Sequence, residues 1–345
     1  MTKRIHVGGV AIGGGAPVSI QSMLNTKTTD VPACLAQLRA LAAAGCQIAR
    51  LAIPDAAAAA AFRHICDASP LPLVADIHFD YRLAIAAAEA GAAKIRINPG
   101  NIGGEDRVRA VVDCCRMHKI PIRIGVNGGS LERRLLEKYG HVTAEALVES
   151  AFSHLALLEK FGFYDTCVSM KSSNVPMMMA AYRSFAAQSD YPLHVGVTET
   201  GTPAQGVLKS AIGIGGLLCL GIGDTIRVSL TADPVQEVIA AKRILKAAGL
   251  RRTGVNLIAC PTCGRTSIDL IGLANQVDQA LADCEKEITV AVMGCVVNGP
   301  GEAREADVGI AGGDGCGVLF VKGELKERLP YDQLLPALLA YIDKL

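Results

Sequence analysis

The chain has 345 residues, half of them hydrophobic, and a formal net charge of +1 at pH 7. That length suits a large domain followed by a small one, and the balanced charge gives no sign of a polyanionic macromolecule as partner. Aromatics are only 4% of the chain, with no Trp and no basic run interleaved with them, so no nucleic-acid partner is expected.

The N-terminal stretch MTKRIHVGGV carries no apolar leader core. The longest apolar run, AIGIGGLLCLGIG at residues 211–223, is too short to span a bilayer and too rich in Gly for a good helix throughout. A cytoplasmic protein without membrane contact is the expectation. Of the 12 cysteines, Cys34, Cys46, Cys66, Cys114, Cys167 and Cys219 sit among Ala, Leu and Val and read as small buried apolar residues. Only the last third of the chain places cysteines beside Gly and Pro.

In chain order, eight short apolar segments ending in polar residues alternate with Ala-rich helical stretches. They are VSIQSM (18–23), QIARLA (47–52), LPLVADIH (71–78), AKIRIN (93–98), PIRIGVN (121–127), DTCVSMK (165–171), LHVGVTE (193–199) and DTIRVSL (224–230). Eight βα units predict a (β/α)8 barrel over residues 1–250. A doubly wound sheet would want a Gly-rich fingerprint opening a helix after its first strand, and GGVAIGGG instead precedes the strand. After Leu250 the pattern changes, and residues 251–345 predict a small α/β domain.

Reactive groups of such a barrel gather at the C-terminal ends of its strands. Those ends carry Arg50, Asp76, His78, Arg96, Asn98, Arg123, Asn127, Lys171, Glu199, Arg227 and Ser229. Five cations at equivalent positions predict a site for a small phosphorylated or diphosphorylated ligand, because guanidinium forks and an ammonium fit phosphate oxygens. Glu199 is either an acid–base group or the ion-pair partner of Arg227 or Lys171. His78 is either a ligand contact or a structural histidine.

In the second domain, CPTCGR places Cys260 and Cys263 on one turn, and Cys295 closes the later segment ITVAVMGC. Three thiolates around one site predict a metal centre. Zinc usually takes two Cys pairs or a His, and no His follows His194. Cys284 and Cys316 remain possible fourth ligands. Glu302 of NGPGE is the better candidate, because the Gly-Pro-Gly turn can fold back over the site and a carboxylate holds iron weakly enough to yield to substrate.

GGGAPVSIQSMLNTKTTD, LVADIHFDYRLA, IRINPGNIG, IPIRIGVNGGSLE, GIGDTIRVSLTADP, ACPTCGR and GCVVNGPGEA occur in this order along nearly the whole chain. On these motifs the chain resembles the 4-hydroxy-3-methylbut-2-en-1-yl diphosphate synthases of the methylerythritol phosphate isoprenoid pathway, in their two-domain bacterial form. The resemblance implies a barrel plus a 4Fe-4S domain with Cys260, Cys263, Cys295 and Glu302 as cluster ligands. It implies that Arg50, His78, Arg96, Arg123, Asn127, Lys171 and Ser229 hold diphosphate and hydroxyls, joined at the same mouth by Asn98 and Arg227. Glu199 would then be the acid near the ring, and Asn298 would reach the substrate from the cluster side. The implied reaction is the two-electron reductive opening and dehydration of 2-C-methyl-D-erythritol 2,4-cyclodiphosphate. With no flavin or nicotinamide fingerprint, electrons must come from a separate flavodoxin or ferredoxin. The competing expectation is a zinc-dependent barrel enzyme acting without redox chemistry on a phosphorylated metabolite.

Topology adds one expectation. The helix after the eighth strand returns the chain to the face opposite the strand ends. The linker LRRTGVN spans at most ~25 Å, shorter than the way back around the barrel. A head-to-tail homodimer with shared active sites is therefore expected.

Overall fold

A computed structural model describes every residue except 252–253, 267, 283, 296–303 and 314. The chain forms two compact units, Met1–Arg251 and Arg252–Leu345.

The first unit opens with an antiparallel hairpin, β1 (Ile5–Val7) and β2 (Val10–Ile12). Eight barrel strands follow: β3 (Ser19–Met23), β4 (Ile48–Ala52), β5 (Leu73–Asp76), β6 (Lys94–Ile97), β7 (Ile122–Asn127), β8 (Thr166–Lys171), β9 (His194–Val195) and β10 (Thr225–Ile226). They lie in the order β8-β7-β6-β5-β4-β3-β10-β9, and a parallel bridge between Val168 and Leu193 closes the ring. The unit is the (β/α)8 barrel that the alternating pattern predicts. Helices start at the strand-end loops on side-chain caps: the Asp55 carboxylate accepts from the Ala58 N–H at 2.8 Å, and Asn174 Oδ1 from the Met177 N–H at 3.0 Å.

Strand alternation divides the barrel wall. Ile95, Ile97, Ile122, Ile124, Val126, Val168 and Met170 are buried in the large apolar cluster shared with the helices. The opposite parity faces the interior. Its floor is apolar: Ile48, Val74 and Cys167 pack against Ile5, Val7 and Ile12 of the hairpin, which plugs the N-terminal end. Above the floor the interior becomes charged, and that transition positions the site.

As expected, the Gly-rich run at 211–223 is not a regular helix throughout: Pro203–Ser210 continues through a widened turn, Ala211–Gly215, into Gly216–Cys219, where the helix ends. Its glycines serve close packing, since a Cβ on Gly213 would lie 2.7 Å from Val197 Cγ2 and one on Gly216 2.8 Å from Met179 Cε. Cys219, read as buried, is exposed at the end of that helix, because the position faces away from the barrel.

The second unit is a five-stranded sheet in the order β11 (Asn256–Ala259), β12 (Thr289–Met293), β13 (Val308–Gly312), β14 (Gly317–Val321) and β15 (Glu324–Leu329). Its first three strands are parallel and its last two are added antiparallel. Helices Leu270–Ala280 and Leu334–Ile342 cover it through Leu273, Val277, Leu334 and Leu338. No described helix of the chain is long and apolar enough to cross a membrane.

Candidate active site

Three strand-end residues of the barrel, Arg50, His78 and Arg96, gather around the buried Asp76. Arg96 Nη1 donates to Asp76 Oδ1 at 3.1 Å, and Arg50 Nε lies 3.8 Å and His78 Nε2 3.4 Å from Asp76 Oδ2. Burial alone would raise the Asp76 carboxyl. The charges of Arg50, Arg96 and Arg123 and the bond from His78 outweigh it and hold the group well below the usual carboxylate range. Arg50 also directs Nη2 at Met23 Sδ, 2.8 Å away, and Arg96 Nη2 donates to the Gly125 carbonyl at 3.2 Å.

Two glycines make room for these cations. A Cβ on Gly125 would fall 2.3 Å from Arg96 Nε, and one on Gly196 would fall 2.8 Å from Lys171 Nζ. Neither position tolerates a side chain without moving the cation beside it.

Charge in this interior is unbalanced. Among the described residues the buried ionic groups are Arg50, Lys94, Arg96, Arg123 and Lys171 against Asp76 and Glu237. Arg123 is 1% exposed, and its Nε and Nη1 have no hydrogen-bond partner. Burial and the neighbouring Arg96 push its guanidinium down to about 10. Burial, then Arg227, Arg50, Arg123 and Arg96, hold Lys171 well below the ordinary ammonium value. A site that strains to remain charged when empty is relieved by an anion, whose field restores every cation around it.

Glu237 was not singled out by sequence reasoning. It lies on the helix Pro234–Ala247, yet only 4% of its surface is exposed. Its carboxylate accepts from Arg227 Nη2 at 3.2 Å, Ser22 Oγ at 3.1 Å and the Leu230 N–H at 3.0 Å. Arg227 therefore pairs with Glu237 and not with Glu199. The alternation of charge along a surface-like helix hid this, and the signal was a Glu one turn after the Asp-Pro helix start.

Glu199 is exposed and adopts φ 53°, a left-handed conformation that non-glycine residues rarely take. The next residue ties the turn down, with Thr200 Oγ1 donating to the Ser229 carbonyl. Strain held by its surroundings is a frequent mark of a functional position. Asn98 Oδ1 accepts from the Gly100 N–H at 3.1 Å and so shapes its own loop. Behind that loop lies a second missed pair, with His154 Nε2 2.9 Å from Glu132 Oε1. Asn127 and Ser229 are half-buried near the strand ends.

In the second unit, Ala259 pairs with Val292, which brings the end of β11 beside the end of β12. The Gly294 N–H donates to Cys260 Sγ at 3.2 Å, so Cys260 lies against the residue preceding Cys295. Cys263 is exposed, and backbone and side-chain bonds from Arg265 lower its thiol. Thiols at adjacent strand ends, with N–H groups directed at sulfur, fit a thiolate-bound group. Among the described residues, however, no three metal-binding side chains converge. Glu302 and Asn298 lie outside the described residues. Cys284 and Cys316 are half-buried and exposed.

The two units correspond to two domains known together elsewhere. The GcpE TIM-barrel domain matches residues 2–242, and the GcpE protein C-terminal domain matches residues 256–344. The chain belongs to the GcpE family. Among its GcpE relatives is the 4-hydroxy-3-methylbut-2-en-1-yl diphosphate synthase (flavodoxin) of Geobacter sulfurreducens, 56% identical over 344 residues, covering 100% of this chain and 98% of that one. The protein of the same name from Clostridium perfringens is 55% identical over 342 residues, 99% of this chain and 98% of that one. The GcpE barrel is also similar in fold alone to Yersinia pestis dihydropteroate synthase (TM-score 0.53, 14% identity, 73% of this chain and 100% of that one). Geobacillus kaustophilus 3-dehydroquinate dehydratase gives TM-score 0.51 at 13% identity, over 72% of this chain and 99% of that one.

Proposed function

We propose that this chain is an oxidoreductase making 4-hydroxy-3-methylbut-2-enyl diphosphate from 2-C-methyl-D-erythritol 2,4-cyclodiphosphate in the methylerythritol phosphate pathway. The observation that carries the site assignment is the excess of buried cations over carboxylates at the barrel mouth. The full-length similarity to synthases bearing that name supports the reaction.

In this reading Arg50, Arg96, Arg123 and Lys171 bind the diphosphate, with His78, Asn98, Asn127, Arg227 and Ser229 around it. Asp76 and Glu237 do not touch substrate. They fix Arg50, Arg96 and Arg227 before it arrives, so less orientation is lost on binding. Glu199, held in its strained turn, is the proton donor. Counted on the neutral acids, the reaction takes two electrons and two protons, breaks the ring C–O bond and releases one water.

Cys260, Cys263, Cys295 and Glu302 would hold a 4Fe-4S cluster, and Asn298 would approach the substrate from that side. When bound, that cluster would supply single low-potential electrons and a Lewis-acidic iron. The relatives' names point to flavodoxin as electron donor, working with this chain in the cytoplasm. A homodimer in which each cysteine unit serves the other barrel follows from the short connection after the last barrel helix.

Anaerobically purified protein should be brown and should turn over the cyclic diphosphate with reduced flavodoxin. A colourless protein without reductive turnover would contradict the reading. Mixing Cys295→Ser with Glu199→Gln chains, each inactive alone, should restore activity through one intact composite site. Exchange of subunits without recovered activity would show that each chain serves itself.

A further inference from the structure

Beneath the mouth lies a group that the proposed chemistry does not use. Lys94 is 0% exposed at the start of β6, and its Nζ has no hydrogen-bond partner. It has the inward parity of Arg96, two residues and roughly 7 Å further along the same strand. The register puts it opposite Val74 of the floor, while Arg96 lies opposite Arg123 in the mouth. Lys94 therefore stands between the apolar plug and the anion site.

The titratable groups around it come from every side of the barrel. Arg50 is on β4, Asp76 on β5, Arg123 on β7, Cys167 on β8 and His194 on β9. From β3 the interior receives Ser19 and Gln21, and from β10 Thr225; none of the three is ionisable, and all have polar atoms lacking partners. Asp76 is already engaged by Arg50, Arg96 and His78. The Cys167 thiol is pushed up to about 11, and His194 is held well below its ordinary value, both by burial first. Asp224, which acts on Cys167 from the start of the last strand, accepts from Thr2 Oγ1 and the Leu193 N–H, so both carboxylates are engaged by other partners. Burial lowers the Lys94 amine to about 7; Cys167 opposes that shift, and the smaller repulsions from Arg123 and Arg50 add to it.

We propose that Lys94 holds its proton weakly while the mouth is empty and firmly once the diphosphate binds above it, so that substrate binding and protonation of the barrel interior are one coupled event. The inference rests on the assignment of the mouth as the diphosphate site. Lys94 is a positioning residue that acts through the field and not by contact. An anion in the mouth offsets the repulsion from Arg123 and Arg50, which raises the Lys94 amine. The sign follows by linkage. A group whose affinity for protons rises on binding makes the ligand bind more weakly as pH increases, approaching about tenfold per pH unit above the empty-state value.

The test is calorimetric titration of the cyclic diphosphate into anaerobic holoprotein without reductant, in two buffers of different ionisation enthalpy. At about pH 8, Lys94→Met should take up about one proton fewer per site than the unmodified protein, and the difference should shrink toward zero near pH 6. Protonation of the ligand and of Lys171 is common to both proteins and cancels. The same deficit in Lys94→Gln covers the case in which the Met variant does not fold. As a second readout, Lys94→Met should melt no lower than the unmodified protein when empty, since a buried amine without a hydrogen-bond partner has been removed. Equal proton uptake in the variant, or no uptake by the unmodified protein, would overturn the proposal while leaving the site intact. No binding at all would overturn the assignment of the mouth itself.

Discussion

The barrel mouth and the cysteine site are built on opposite plans. In the barrel, Arg50, Arg96, Arg123 and Lys171 project from strands, lie buried, and are held by Asp76 and by the space that Gly125 and Gly196 leave. In the second unit the cysteines follow strand ends, Cys263 is exposed, and no three ligands converge among the described residues. In the proposed reading, a diphosphate meets a preformed site whose cations repel one another until it arrives. A metal cluster brings thiolate bonds strong enough to organise its own ligands, so its protein needs only the right residues within reach. The cost of preorganisation is therefore carried by the barrel fold, and that of the cysteine site by assembly with metal.

The largest expected effect breaks one half without the other. Cys260→Ser, Cys263→Ser and Cys295→Ser should abolish iron binding and turnover, read by iron content and reduced-flavodoxin assays, while the melting temperature of the barrel stays put. Glu302→Ala should lose iron less completely, because three thiolates remain. Full iron and normal activity in Cys295→Ser would remove that residue from the site.

Next comes the keystone of the mouth. Asp76→Asn leaves Arg50 and Arg96 without their carboxylate, and breaking a buried pair costs about 3–5 kcal/mol, measurable by denaturant unfolding. Because the folded Asp76 carboxyl titrates below its unfolded value, its contribution is present above the unfolded value and is lost as pH falls toward the folded one. Stability of the unmodified barrel should therefore decline on the acid side, and Asp76→Asn should flatten that decline.

A smaller effect is expected for single diphosphate contacts. Arg123→Met should weaken kcat/KM for the cyclic diphosphate by about 1.5–3 kcal/mol, roughly tenfold to a hundredfold, with iron content unchanged. The smallest concerns backbone strain. Glu199→Gly should relieve the left-handed residue and stabilise the barrel by about 1 kcal/mol while removing turnover. Glu199→Ala should remove turnover without the gain.

Much of this contrast was legible in the sequence. The eight barrel strands stood out because each buries both faces and ends in polar residues. Arg50, Arg96, Arg123 and Lys171 shared a position relative to those ends. What escaped notice did so for physical reasons. The hairpin Ile5–Ile12 has strands of three residues joined at Gly8–Gly9, too short for a periodic signal. β15 is an exposed edge with Leu329 as its one buried residue, so its charged residues carry no alternating apolar signal. Lys94 lies at the strand end opposite the mouth, and only parity with Arg96 marks it as interior. Glu237 sits on a helix, where a Glu is ordinarily solvated. Gly125 and Gly196 matter for what they leave empty, which no residue pattern displays.

The central claim is that the barrel alone forms the diphosphate site. It is tested most directly by titrating the cyclic diphosphate, without reductant, into intact holoprotein, into cluster-free Cys295→Ser and into Arg123→Met. The account expects Cys295→Ser to bind within about tenfold of the intact protein and Arg123→Met, with its cluster complete, to bind at least tenfold more weakly. Loss of binding in Cys295→Ser with full binding in Arg123→Met would show that the cysteine unit holds the substrate and would contradict the account.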